Sequence, residues 1–103
     1  MIIYLSGPID KNVNRKRDFA RAERKLKHSG FTVVNPLTVI PELPFKNIDA
    51  HNKIARMWVE ECDGIFMMCG WTASEECLLE YRHARTTHKS IMFEDGAEEK
   101  EDV

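Results

Sequence analysis

The opening of the chain constrains the fold most. Met1-Ile2-Ile3-Tyr4-Leu5-Ser6 is a short, nearly continuous apolar run, closed at once by Gly7-Pro8. A half-exposed strand alternates apolar and polar residues. An unbroken run this short suits a strand buried on both faces, as in a parallel sheet.

The rest of the chain alternates helix and strand signals. Asn14 can cap a helix running to about Ser29, with Phe19, Ala22 and Leu26 as its inward stripe and Gly30 as a left-handed stop. Phe31 to Val34 reads as a second strand, ended by Asn35-Pro36. Leu37 to Ile48 contains Pro41 and Pro44 and reads as a long irregular loop, the kind that is often functional in a small domain. Asp49 can cap a helix through about Cys62, turning Ile54, Trp58 and Val59 inward. Gly64 to Met68 is a third strand. Gly70 to Ala73 is a turn, with Thr72 and Glu75 spaced as a capping box. A helix to about Thr87 follows, with Cys77, Leu78, Tyr81 and Ala84 inward, and then a strand at Ser90 to Phe93. The alternation predicts an α/β domain with a parallel sheet of about four strands. Ligands of such sheets lie beyond the carboxyl ends of the strands. That selects three segments: Gly7 to Asn14, Asn35 to Ile48, and Cys69 to Ser74.

A chain of 103 residues, 43% hydrophobic, supports one core and one domain, here residues 1–94. A net charge of -2 argues against a general nucleic-acid binder. The charge is nonetheless segregated. Lys11 to His28 holds eight Lys/Arg against two acids, and Glu94 to Val103 holds six acids against one Lys. Residues 95–103 read as an acidic, flexible or loosely docked tail. The first apolar run is too short for a signal-peptide core, and no stretch approaches a membrane span. Cys62, Cys69 and Cys77 show no C-x-x-C or zinc spacing, so free thiols and a cytoplasmic setting are expected. Asp10-x-Asn12-x-Asn14 lacks the glycine and closing acid of a calcium loop, so no metal is expected, and no cofactor motif is present.

Few residues are placed to carry chemistry. Glu80 borders the apolar stripe of the last helix, where a carboxylate is partly desolvated and its pKa rises. It should line a cleft beside the first loop and the Cys69–Ser74 turn. Ser74 either caps that helix, as Thr72 could, or joins the free amides in an anion site; Glu75 and Glu76 would oppose an anion there. Gly7-Pro8 closes the first strand at the ligand end. Trp71, at the same end, could stack on a base or cap the core. Asp63 precedes its strand and so falls at the far end of the sheet, in a structural or supporting role. His51, His83 and His88 form no catalytic pattern.

These motifs resemble those of the nucleoside 2-deoxyribosyltransferase family. Ile3 to Ile9 is similar to its opening IYLAGP strand and loop, and Gly30 to Pro36 to its second strand. Glu61 to Met68 is similar to its CDAIYML strand. Gly70-Trp71, Ser74 and Glu80 resemble the GW..S.GA..E segment of its short phage and bacterial relatives. The resemblance spans about residues 2 to 94. It implies a flavodoxin-like three-layer sandwich acting on nucleosides or nucleotides in a bacterial or, if phage-encoded, host cytoplasm. It further implies Glu80 as a nucleophile at the sugar anomeric carbon, resolved by a second base (transferase) or water (hydrolase). Gly7, Pro8 and Ile9 would lie near the ligand, Ser74 would meet a 5'-phosphate, and the chain would form a homodimer or larger homo-oligomer. Two departures stand out: Glu76 replaces a glycine, and a helper acid expected before Asp63 falls at Ala55 or Asn52. They favour a rival reading, a catalytically silent protein that binds or sequesters a nucleotide. The segregated charge favours a third, a small partner-binding protein.

Overall fold

A computed structural model describes residues 1–40 and 48–99. The apolar opening forms β1 (Ile2–Ser6), whose last four residues are buried. It is followed by α1 (Arg15–His28), β2 (Thr32–Val34), α2 (Pro36–Val39), α3 (Ile48–Glu61), β3 (Gly64–Met67), α4 (Glu75–Thr86) and β4 (Ser90–Phe93). All strand pairs are parallel, in the order β2-β1-β3-β4. The chain therefore winds outward from β1 in both directions. The crevice this creates, between the carboxyl ends of β1 and β3, is where doubly wound sheets take ligands.

Because side chains alternate along a strand, β1 feeds two different cores. Ile3 and Leu5 join Phe66 and Met68 of the neighbouring strand segment and pack on Phe19, Ala22 and Leu26 of α1. Tyr4 faces the other way, with Ile65 and Met67, against Val59 of α3 and Cys77, Tyr81 and Ala84 of α4. The result is a three-layer sandwich, and the predicted stripes of α1 and α4 are the ones buried; Leu78 is half-buried. On α3, Ala55 and Val59 are buried, while Ile54 and Trp58 are half-buried.

Three local readings are corrected. The stretch after β2 is not loop from its start. Asn35 caps α2 by accepting from the Leu37 amide at 3.0 Å, and Pro36 sits in the first turn, where no N–H is needed. Residues 41–47 of that stretch lie outside the described residues. The second correction concerns Thr72. Trp71–Ala73 coils into a 3-10 turn, so α4 is capped by Ser74, which accepts from the Cys77 amide at 3.3 Å. The third is that Asn14 precedes α1 without a side-chain capping bond. Gly30, at φ 96, does occupy the left-handed region beyond α1.

The start of the acidic tail is docked. The Trp71 indole donates to the Glu98 carbonyl at 2.7 Å, Thr72 donates to the Glu98 carboxylate at 3.1 Å, and Ala97 packs on the α3/α4 core. Lys25 of the basic helix meets Asp95 at 3.4 Å. Residues 100–103 lie outside the described residues. Cys62, Cys69 and Cys77 are free thiols. Among the described residues no helix is long and apolar enough to cross a membrane.

Candidate active site

The site grows from the end of β1. Tyr4 and Ser6 are two residues apart and so point to the same face, toward α4. Glu80, one turn after the buried Cys77, points back at them. The Ser6 hydroxyl donates to Glu80 Oε1 at 2.6 Å, and the Tyr4 hydroxyl donates to Oε2 at 2.9 Å. Both carboxylate oxygens are thereby held. Glu80 is only 8% exposed and Ser6 only 1%. Burial pushes the Glu80 pKa up to about 7; the two hydroxyl donors pull against this, and the nearby Glu76 adds to it. Desolvation, and after it the Glu80 carboxylate, raises the buried Tyr4 well above its ordinary value. Burial and then Glu80 push the Cys77 thiol up to about 11, so this cysteine is a protonated neighbour.

Two loops meet above this carboxylate. A Cβ on Gly7 would stand 2.7 Å from Met68 Sδ, so the bare backbone of Gly7 lets the ends of β1 and β3 close together. Gly70 is left-handed, at φ 87, and lies against the Pro8 ring. Asn12 holds the first loop by donating to the Pro8 carbonyl at 2.9 Å. Beside the junction opens a cleft of about 720 Å³. Pro8, Asp10 and Lys11 line it from the first loop, Asp49 and Asn52 from α3, and Gly70, Ala73, Ser74, Glu75, Glu76 and Leu79 from the turn and α4.

The expected residues are only partly brought together. Pro8 and Ser74 line the cleft, and the Ser74 oxygen is engaged as the α4 cap. Gly7 is buried behind the cleft, and Ile9 packs toward the α1 core. Glu80 is not among the residues that line this cleft; its carboxyl is turned to β1, onto Ser6 and Tyr4. Trp71 offers no face for stacking. Its ring is fully buried, 4.7 Å from Tyr81 and 6.1 Å from Phe93 between centroids, and so caps the core. Asp63 is at the opposite, amino-terminal edge of the sheet, where its carboxylate accepts from the Ile2 amide at 2.7 Å.

Sequence reasoning missed Tyr4, Ser6, Asp10, Lys11 and Asp49 as site residues. The signal for the first two was their shared parity on an otherwise apolar buried strand. Asp49 brings an α3 carboxylate into the cleft one turn before Asn52, although the expected helper acid falls at Ala55 or Asn52 by sequence. Among the described residues no three His, Cys, Asp or Glu side chains are grouped to hold a metal ion.

Residues 1–93 match a family model described as a domain of unknown function, DUF4406. The chain belongs to that family. No curated protein matches its sequence. Among solved structures, it superimposes on a 2-deoxyribosyltransferase from Bacillus psychrosaccharolyticus with a TM-score of 0.69 and 22% identity, covering 90% of this chain and 71% of that one. It also superimposes on the Clostridium botulinum CMP N-glycosidase BcmB with a TM-score of 0.64 and 19% identity, covering 90% and 70%. The DUF4406 chain thus has the nucleoside 2-deoxyribosyltransferase-like fold.

Proposed function

We propose that this protein is an N-glycosyl enzyme acting on nucleosides or nucleotides, with Glu80 as its nucleophile. One observation carries the reading: a buried carboxylate, gripped on both oxygens by side chains of β1, stands at the ligand end of the sheet. The named activities of the two structural neighbours, 2-deoxyribosyl transfer and CMP N-glycoside cleavage, support the substrate class. A lone pair of a Glu80 oxygen attacks the anomeric carbon. The C–N bond breaks, and the base leaves with the bonding electrons and takes up a proton. Water or a second base then attacks the same carbon, the ester C–O bond breaks with its electrons going to the Glu80 carboxylate, and the attacking group loses a proton to solvent. Only ionised Glu80 attacks, so the rate rises as pH climbs through about 7. Asp49 and Asn52 are available in the cleft to hydrogen-bond the sugar or the base.

The test is incubation with the common deoxynucleosides and their monophosphates. Release of free base, and a glycosyl ester on the intact chain that Glu80→Gln abolishes, is the expected result. Binding without base release would instead support a sequestering protein. A specific feature favours that second reading: Glu80 is not among the cleft-lining residues, and Asp10, Asp49, Glu75 and Glu76 outnumber Lys11 there. A homodimer belongs to the proposal as well. Met57 on α3 is 64% exposed beside the half-buried Trp58, apolar surface that a second copy would cover. Light scattering that gives only a 12.0 kDa species would remove it.

A further inference from the structure

We propose that Ser6 is a positioning residue for Glu80: its buried hydroxyl, 2.6 Å from Oε1, aims one carboxylate oxygen and favours its charged form. The inference rests on reading Glu80 as the nucleophile.

The backbone around Ser6 is fixed. Ser6 pairs with Met67 across the sheet, and its carbonyl accepts from the Met68 amide at 2.8 Å. β1 is an inner strand with a neighbour on each side, so this oxygen is carried on the least mobile part of the fold. The resembled IYLAGP opening has alanine at this position. A methyl group in place of the hydroxyl would leave Oε1 with no donor in a site that water barely reaches.

Ser6 matters because, among the described residues, no group of opposite charge is paired with Glu80. The titratable groups that face Glu80 are Tyr4 from β1 and Glu76 and Cys77 from α4. Desolvation and Glu76 both oppose its charge, and among the described residues the Ser6 and Tyr4 hydroxyls act against them. Tyr4 holds Oε2 and Ser6 holds Oε1, so neither can replace the other by geometry. Losing one charge-assisted bond should move the protonation equilibrium by roughly tenfold or more.

The experiment titrates Glu80 directly, by carboxyl 13C NMR of the full chain, with Glu80→Gln used to assign the resonance. The wild-type midpoint is expected near 7. Ser6→Ala should raise it by about one pH unit, and Ser6→Gly, which also lacks the hydroxyl, should do the same. Ser6→Thr, which keeps the hydroxyl, should restore it. In base-release assays the acid limb of the pH profile should move with the midpoint. At pH 7, kcat should fall about fivefold in Ser6→Ala with KM unchanged. An unchanged or lowered midpoint in both hydroxyl-free variants overturns the proposal. So does a KM change with kcat intact, which would mean that Ser6 touches the substrate. If the midpoint shifts as expected but no variant releases base, the Ser6–Glu80 coupling stands and the glycosyl-enzyme reading falls.

Discussion

The two faces of β1 hold the same five residues of backbone to opposite standards. On the α1 side, Ile3 and Leu5 meet the apolar side chains of Phe19, Ala22, Leu26, Phe66 and Met68. On the α4 side, Tyr4 and Ser6 meet Glu80, a buried carboxylate that pairs with no cation among the described residues. The first face gains stability from every side chain. The second gives some up to keep a charge where water is scarce. A fold divided in this way can concentrate strain on one layer and hold it in place with the other.

The sharpest way to break this contrast is Glu80→Gln. Base release should fall by at least about a thousandfold, because an amide is a poor nucleophile at a sugar carbon. Ligand binding, measured by calorimetry, should survive. Substantial turnover in this variant would shift the chemistry to another group. On the apolar face, Phe19→Ala removes a fully buried ring and should cost about 3 to 5 kcal/mol in urea unfolding. Activity per folded molecule should hold, and a selective loss would mean that the two faces are not independent.

The third effect is a pH dependence with a definite sign. The folded-state pKa of Glu80 is about 7, above the ordinary 4.5. Between those values the folded chain keeps a proton that the unfolded chain has released. This contribution is therefore fully present below the ordinary value and is lost as pH rises through the folded one. The loss should be on the order of 3 kcal/mol, with Glu80→Gln showing no such slope and exceeding wild type at pH 8. Unfolding curves at pH 5 and pH 8 decide it. The smallest effect concerns the cleft rim. Glu76→Gln should tighten binding of a deoxynucleoside monophosphate by about two- to fivefold, and leave the unphosphorylated nucleoside unaffected.

How far the chain could be read from its letters follows the same division. The stripe of Phe19, Ala22 and Leu26 and the run in β1 are legible because burial against apolar neighbours needs only periodicity. Glu80 is legible as a carboxylate on the edge of a stripe. Its partners are not, because a hydrogen bond across 74 residues depends on which strand lies under which helix. Trp71 and Thr72 mislead for a local reason. A single 3-10 turn rotates both, sending the indole into the core and moving the cap to Ser74. Asn35-Pro36 carries both helix-start signals, but it also ends a strand, and only the structure shows that it does both.

The docking of Glu98 on Trp71 bears on how the protein is handled. The indole N–H is tied to a main-chain carbonyl 27 residues downstream, so its emission serves as a built-in gauge of whether that stretch is seated. Cutting the chain directly after β4 would strip the lid from a large aromatic ring and leave its N–H without a partner, inviting aggregation. Expression boundaries and fusion junctions belong beyond residue 98, and a red-shifted tryptophan spectrum would be the first sign that one had been drawn too short.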